Sequence, residues 1–349
     1  MVMKKVLFAV AGAGKTTYLV DKLSQAGRCL LLTYTENNAH NLEIAILKKF
    51  KKVPDNIFVS TYFSFLLNFM IKPFLLDEGR RIRRLHYSKK PIPRYLKGVD
   101  RFVTGVGEEV FHSRAFHFAC EFIGNGKLFR RIAQFFDSVF IDEDQDFAGY
   151  DFDFIEMLGQ STLNVLLAGD FFQHTFDTSR DGSKNQSLHD DYLNYKKRFD
   201  ALYTVDEQTL SNSFRCPQAI CDFVSSTIGI QMGASNQVEV NPPCLVADAS
   251  RIDEIMNDDR IEKLFYQKSY EYSCKATNWG VCKGLSFDDV CVVLNSSTYD
   301  KFAKGDVKSL APSTRNKFYV ACTRTKGNLY FVKEEDVTAF RKKTEEQHA

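Results

Sequence analysis

Short apolar runs that alternate with segments of helical spacing constrain the fold of this chain more than any other feature. Runs of strand length fall at residues 6–10, 29–33, 57–60, 138–141 and 163–168. Between them lie residues 15–25, 38–50 and 61–71, where apolar side chains recur every three or four positions, as Leu42, Ile46, Leu47 and Phe50 do. Strands alternating with helices predict a parallel sheet covered on both faces, with ligands at the carboxyl ends of its strands. A second alternation starts after about residue 201, with strands near 202–205, 290–294 and 329–332 and helices at 217–227 and 252–265. The chain has 349 residues, enough for two domains of ordinary size. The expected organisation is a first α/β domain over residues 1–200 and a second over 201–349. Residues 74–131 break the rhythm with Pro91, Pro93 and several glycines, and read as a small helical insertion; the polar stretch 179–194 reads as a loop.

The first apolar run leads into Ala9-Val10-Ala11-Gly12-Ala13-Gly14-Lys15-Thr16. Small residues let consecutive backbone N–H groups curl around phosphates. Lys15 supplies a point charge, and the Thr16 hydroxyl is a ligand for magnesium. A strand-to-helix turn of this composition also occurs for packing alone, so the rest of the chain must corroborate it. Two later strands do so. Val139-Phe140-Ile141 runs into Asp142-Glu143-Asp144-Gln145-Asp146, and Leu166-Leu167-Ala168 into Gly169-Asp170-Phe171-Phe172-Gln173. An acidic segment standing alone is an ordinary solvated turn. At a strand end in the same sheet as a phosphate loop, its first acid suits a metal and its second an attacking water.

These segments, in this order, resemble the motif set of superfamily 1 helicases of the UvrD/Rep type. Asp142 to Asp146 resembles the DExQD box and Gly169 to Gln173 the GDxxQ box. Leu32-Thr33-Tyr34-Thr35 and Thr61-Tyr62-Phe63-Ser64-Phe65 are similar to the two segments that contact single-stranded DNA in that family. Leu210 to Pro217 resembles its arginine-bearing motif, Lys283 to Val290 its KGLEFxxV segment, and Tyr319 to Lys326 its YVALTRAK motif. The resemblance implies two RecA-like P-loop NTPase domains with parallel sheets, plus a small mainly helical insertion in the first. It implies ATP and Mg²⁺ as cofactors, with Gly12, Ala13, Gly14, Lys15, Thr16, Thr17, Phe214 and Gly284 around the nucleotide and Thr16 and Asp142 at the metal. Glu143 would be the catalytic base, Gln173 the reporter of the γ-phosphate, and Arg215 and Arg324 arginine fingers engaged on domain closure. Thr33, Thr35, Thr61, Tyr62, Ser64 and Trp279 would touch nucleic acid. Phe214 has two readings, an adenine platform or a core aromatic, and Trp279 likewise, a base-stacking ring or one buried against the sheet.

The chain departs from that pattern in places. Phe63 stands where the family has histidine, Gly280 where TxHxxKG has its histidine, and Ser286 where KGLEF has glutamate. No glutamine motif precedes the phosphate loop in this sequence, so the loop argues for phosphate more strongly than for adenine. Only 67 residues separate Arg215 from Lys283, too few for the accessory domain that larger relatives insert there. Net charge is +2, which leaves any nucleic-acid affinity to a local patch. One exists: nine Lys/Arg between Arg80 and Arg101 face the single acid Asp100. Nine scattered cysteines without metal-ligand spacing fit reduced thiols of a cytoplasmic protein, and no stretch approaches a membrane span. The expectation is an ATPase that moves 3′ to 5′ along single-stranded DNA or a tailed duplex. The rival is a reduced DNA- or nucleotide-sensing ATPase that partners a nuclease in antiphage defence or a repair protein.

Overall fold

A computed structural model describes residues 2–23, 27–77, 81–87, 98–104, 108–175 and 183–342. The chain gathers into two compact units. The first comprises Met1–Phe8, Lys15–Phe171 and Phe176–Thr209, the second Ala9–Gly14, Phe172–Thr175 and Leu210–Ala349.

The strands of the first unit are β1 (Lys4–Phe8), β2 (Cys29–Thr33), β3 (Ile57–Thr61), β4 (Arg84–His86), β5 (Val103–Thr104), β6 (Glu109–Phe111), β7 (Ser138–Asp142), β8 (Asn164–Gly169) and β9 (Thr204–Asp206). Six of them form a parallel sheet in the order β3-β2-β7-β8-β1-β9. β2 and β7 are buried at every position, which is why their sequences are unbroken apolar runs rather than alternating ones. Because all six strands point the same way, Thr33, Thr61, Asp142 and Gly169 end their strands on one edge of the sheet. The helix after β2, Glu36–Phe50, is capped by Thr35, whose side chain accepts from Asn38 N.

One expectation about this unit is corrected. The strand near 202–205, expected to open the second domain, is β9 and pairs with β1, Lys5 facing Thr204. Lys5 Nζ lies 2.7 Å from Asp206, which fixes that register, and the first unit therefore runs to Thr209 rather than to residue 200. The insertion, mainly helical as expected, also carries a small mixed sheet of β4, β6 and β5 ahead of helices Ala115–Phe122 and Asn125–Phe135. Of the basic run, Arg80, Lys89, Lys90, Arg94 and Lys97 lie outside the described residues. Arg83 pairs with Glu108 at 2.8 Å and Arg84 with Glu109, so part of the expected patch is neutralised by the insertion's own acids.

The second unit holds β10 (Asn212–Pro217) and β11 (Gly233–Asn236), paired in parallel, and β12 (Cys244–Leu245), β13 (Ile261–Phe265), β14 (Ala276–Asn278), β15 (Asp289–Leu294) and β16 (Leu329–Lys333). The latter five form a parallel sheet in the order β12-β16-β15-β13-β14. The helix expected over 252–265 ends at Asn257, and residues 261–265 are the strand β13 with partners on both sides. The Asp258-Asp259-Arg260 step stops the helix: Arg260 N and its guanidinium both bond the Asp258 carboxylate, a local geometry that competes with the helical ladder. All nine cysteines are free thiols. No helix among the described residues is long and apolar enough to cross a membrane.

Candidate nucleotide and nucleic-acid sites

In the first unit, the start of helix Lys15–Lys22 meets the carboxyl end of β7. Thr16 Oγ1 donates to Asp142 Oδ2 at 2.7 Å, and Lys15 Nζ lies 3.4 Å from Glu143 Oε1. Lys15 and Asp142 are buried, and the other oxygen of Asp142, Oδ1, is buried without a hydrogen-bond partner. Burial first, then the neighbouring Glu143, pushes the Asp142 carboxyl up to about 6 against the pull of Lys15 and Thr16. A carboxylate oxygen left unsatisfied beside a hydroxyl and a second acid fits a divalent cation, whose charge reverses that penalty.

Glu143 adopts a left-handed backbone, φ 63°, unusual for a residue with a side chain. Such strain persists only where neighbours fix it, and here they do. Glu143 N donates to Ala168 O at 2.8 Å, and Gln145 Nε2 donates to Glu143 Oε2 at 2.5 Å. Gln145 Oε1 in turn accepts from Asp170 N at 2.8 Å. The glutamine of the acidic box thus clamps the expected base to the strand end of β8, a positioning role that sequence reasoning did not assign. Its signal was in the DExQD pattern, which specifies glutamine but not why. Gly169 is required at this junction, since a Cβ there would fall 2.0 Å from Asp144 Oδ1. Asp144 itself is buried, accepts from the Tyr195 hydroxyl at 3.0 Å and is pushed by burial up to about 7.

The second unit holds the other residues expected around the phosphates. Gly12 (φ 72°) and Gly14 (φ 80°) both take left-handed conformations; a Cβ on Gly12 would lie 2.6 Å from Arg215 Cβ, and one on Gly14 3.8 Å from the Phe214 ring. Phe214 N donates to Gly12 O at 2.9 Å, and Ala11 N donates to the Tyr319 hydroxyl at 2.8 Å. Phe214 is 69% exposed, so the core reading of this aromatic is excluded and its ring stands open beside the glycine turn. Arg215 Nη1 donates to Thr323 O at 3.1 Å. Arg324 is buried and donates to three neutral oxygens: Val320 O, Leu285 O and, at 3.2 Å, Gln173 Oε1. None of these bonds neutralises the guanidinium. Helix Pro312–Cys322 holds Gln173 in reach, with Asn316 Nδ2 donating to His174 O and Tyr319 meeting Phe172 edge-on. Ala13 is buried, Thr17 is exposed on its helix, and Gly284 takes φ 86° in open space.

The expected nucleic-acid contacts divide by burial. Thr33, Tyr62 and Trp279 are fully buried, so their side chains lie away from the surface, which for Trp279 selects the buried reading. Trp279 donates its indole N–H to Leu264 O at 2.8 Å and packs against Tyr266 and Phe318, so it is a core residue of the second unit. Tyr62 and Tyr34 both donate their hydroxyls to the buried carboxylate of Asp151, at 3.1 and 3.2 Å. That bridge ties the ends of β2 and β3 to the helix Asp151–Gln160. Thr61 is buried as a helix cap that accepts from Ser64 N and donates to Glu36. Thr35 and Ser64 remain exposed and line a common cavity.

A family model described as the viral superfamily 1 RNA helicase core domain matches residues 127–333. No curated protein matches the chain. Among solved structures, arterivirus nonstructural protein 10 (helicase) in complex with DNA is 13% identical with a TM-score of 0.48, covering 97% of this chain and 63% of that one. The PRRSV helicase is 12% identical with a TM-score of 0.47, covering 95% of this chain and 52% of that one. The chain therefore spans less than two thirds of the length of either.

Proposed function

The chain belongs to the viral superfamily 1 RNA helicase family, and from that premise we propose that it hydrolyses ATP with Mg²⁺ and uses the energy to move along single-stranded nucleic acid. One observation carries the reading: the Lys15, Thr16, Asp142 and Glu143 cluster, with its unpartnered buried oxygen on Asp142. In this proposal Thr16 and Asp142 hold the cation, which supplies charge neutralisation at the phosphates. Lys15 binds the phosphates, and Glu143, fixed by Gln145, takes the proton of the attacking water. Gln173, Arg215 and Arg324 engage the γ-phosphate during the cycle, and Phe214 offers a face to the base of the nucleotide. Single-stranded DNA as the track, and 3′ to 5′ as the direction, rest only on the resemblance of the motifs to the UvrD/Rep type.

Hydrolysis of ATP with and without single-stranded DNA and RNA tests the reading directly. The expected result is stimulation by polynucleotide that disappears in Lys15→Ala and Glu143→Gln. Absence of stimulation, or unchanged hydrolysis in both variants, overturns it. Translocation on oligonucleotides blocked at either end then decides direction.

A further inference from the structure

In the first unit a cavity of about 510 Å³ lies where the ends of β2 and β3 meet the insertion. Its walls include Phe63 and Ser64 from the segment after β3, Glu36 from the first turn of the helix after β2, and Tyr87 and His112 from the insertion. The Tyr87 ring stacks on His112 with centroids 4.7 Å apart and planes 23° from parallel. Phe63 meets both rings edge-on, at 6.1 and 5.9 Å. Although packed in this way, Tyr87 remains 63% exposed. A rigid aromatic stack with an open surface suits a planar heterocycle.

The polar groups of the cavity decide which part of a polynucleotide it takes. Arg84 is engaged by Glu109. The carboxylate oxygens of Glu36 are acceptors, and the Tyr87 hydroxyl is held above its ordinary pKa by burial and by the Glu36 charge, which places the two groups in one electrostatic environment. A carboxylate at this point repels phosphate. It suits an uncharged ring whose edge carries N–H donors, as carboxylates accept from exocyclic amines in base recognition. Guanine presents two adjacent donors on its Watson–Crick edge, a match to both oxygens of one carboxylate, whereas thymine presents one donor between two repelling carbonyls.

We propose that this cavity binds one base of the single strand, stacked on Tyr87 with its donor edge on Glu36, and that it favours guanine. The inference rests on the nucleic-acid reading above. It makes the insertion a base-reading element through Tyr87 and His112, and makes Glu36 a specificity residue.

Fluorescence anisotropy with two labelled oligonucleotides tests it: an oligothymidylate, and the same length with guanine at every third position. The wild-type chain should bind the guanine-containing strand more tightly by about 5-fold or more, in line with one bidentate base contact. Glu36→Gln, at an exposed position, should erase that preference. Tyr87→Ala should weaken both strands by roughly 5- to 100-fold, the range for loss of a stacking platform, and Tyr87→Phe should restore binding. Equal affinity of the wild-type chain for both strands, or a preference that survives Glu36→Gln, overturns the pocket assignment alone. Failure of the wild-type chain to bind either strand overturns the nucleic-acid reading and the pocket with it.

Discussion

The carboxyl end of β7 and the carboxyl ends of β2 and β3 lie on the same edge of one sheet, yet they use their motif residues differently. At β7 the residues expected to act on phosphate come together: Lys15, Thr16, Asp142 and Glu143 form one hydrogen-bonded and ion-paired cluster. At β2 and β3 the expected contact residues part company. Thr33 and Tyr62 turn inward, Thr61 spends its hydroxyl on a helix cap, and only Thr35 and Ser64 stay at the surface. The difference follows from chemistry. A buried carboxylate or ammonium without a partner is too costly to keep, so charged residues at a strand end declare a site. Hydroxyls and aromatic rings serve as caps and core as readily as they serve as contacts, so the same motif holds both kinds.

The largest test of this contrast sets Glu143→Gln against Thr33→Val. Loss of the base should lower kcat for ATP hydrolysis by about 10²- to 10⁴-fold with little change in nucleotide affinity, read by steady-state kinetics and nucleotide binding. Thr33→Val keeps the shape of the side chain and removes a buried hydroxyl that has no hydrogen-bond partner. It should leave polynucleotide affinity unchanged and thermal stability equal or higher. Loss of DNA or RNA binding in Thr33→Val would break the comparison.

Two aromatics of the second unit carry the same contrast into stability. Trp279→Ala removes a fully buried ring and its N–H bond to Leu264, and should cost about 3–5 kcal/mol in denaturant unfolding. Phe214→Ala removes a ring that is 69% exposed. It should change stability by no more than about 0.5 kcal/mol while raising KM for ATP. A KM effect in a stably folded Trp279 variant, or a large stability loss for Phe214, would reverse their roles.

These pairs also show what was legible in the sequence. The strand runs 29–33 and 138–141 were readable because a strand buried on both faces is apolar throughout, and the phosphate loop because its glycines and Lys15 sit at a strand end. The sequence did not reveal that residues 261–265 form a strand. Ile-Glu-Lys-Leu-Phe continues the helical spacing of 252–257, and only pairing with β14 and β15 overrides it. Nor did it assign β9, since a three-residue strand belongs to whichever sheet offers an edge, here β1. The clamp by Gln145 and the Tyr34–Asp151–Tyr62 bridge were invisible for the same reason: each joins residues whose proximity is made by the sheet order rather than by spacing along the chain.

That bridge gives an intermediate prediction. Tyr62→Phe removes one donor to the buried Asp151 carboxylate and should cost about 1–3 kcal/mol of stability. Because the Tyr62 ring is buried, the direct effect on polynucleotide affinity should be smaller than that of Tyr87→Ala. A Tyr62→Phe protein of normal stability that no longer binds polynucleotide would return Tyr62 to the contact surface.

The smallest effect lies at the opposite end of β7. Asp137, one residue before the strand, accepts from Arg28 N at 2.8 Å and from the Arg28 guanidinium at 2.8 and 3.2 Å. These bonds hold its carboxyl down at about 2. A carboxyl depressed on folding adds stability above its unfolded pKa near 4, and that contribution fades as pH falls toward the folded value near 2. Both side chains are about half exposed, so solvent screening limits the pair to about 1 kcal/mol or less. Asp137→Asn should therefore lower the urea midpoint slightly at pH 7, by an amount that shrinks between pH 4 and pH 2, and should leave ATP hydrolysis untouched. A hydrolysis defect in Asp137→Asn would mean that the amino end of β7 also serves the chemistry, and that strand polarity alone does not separate the site from its support.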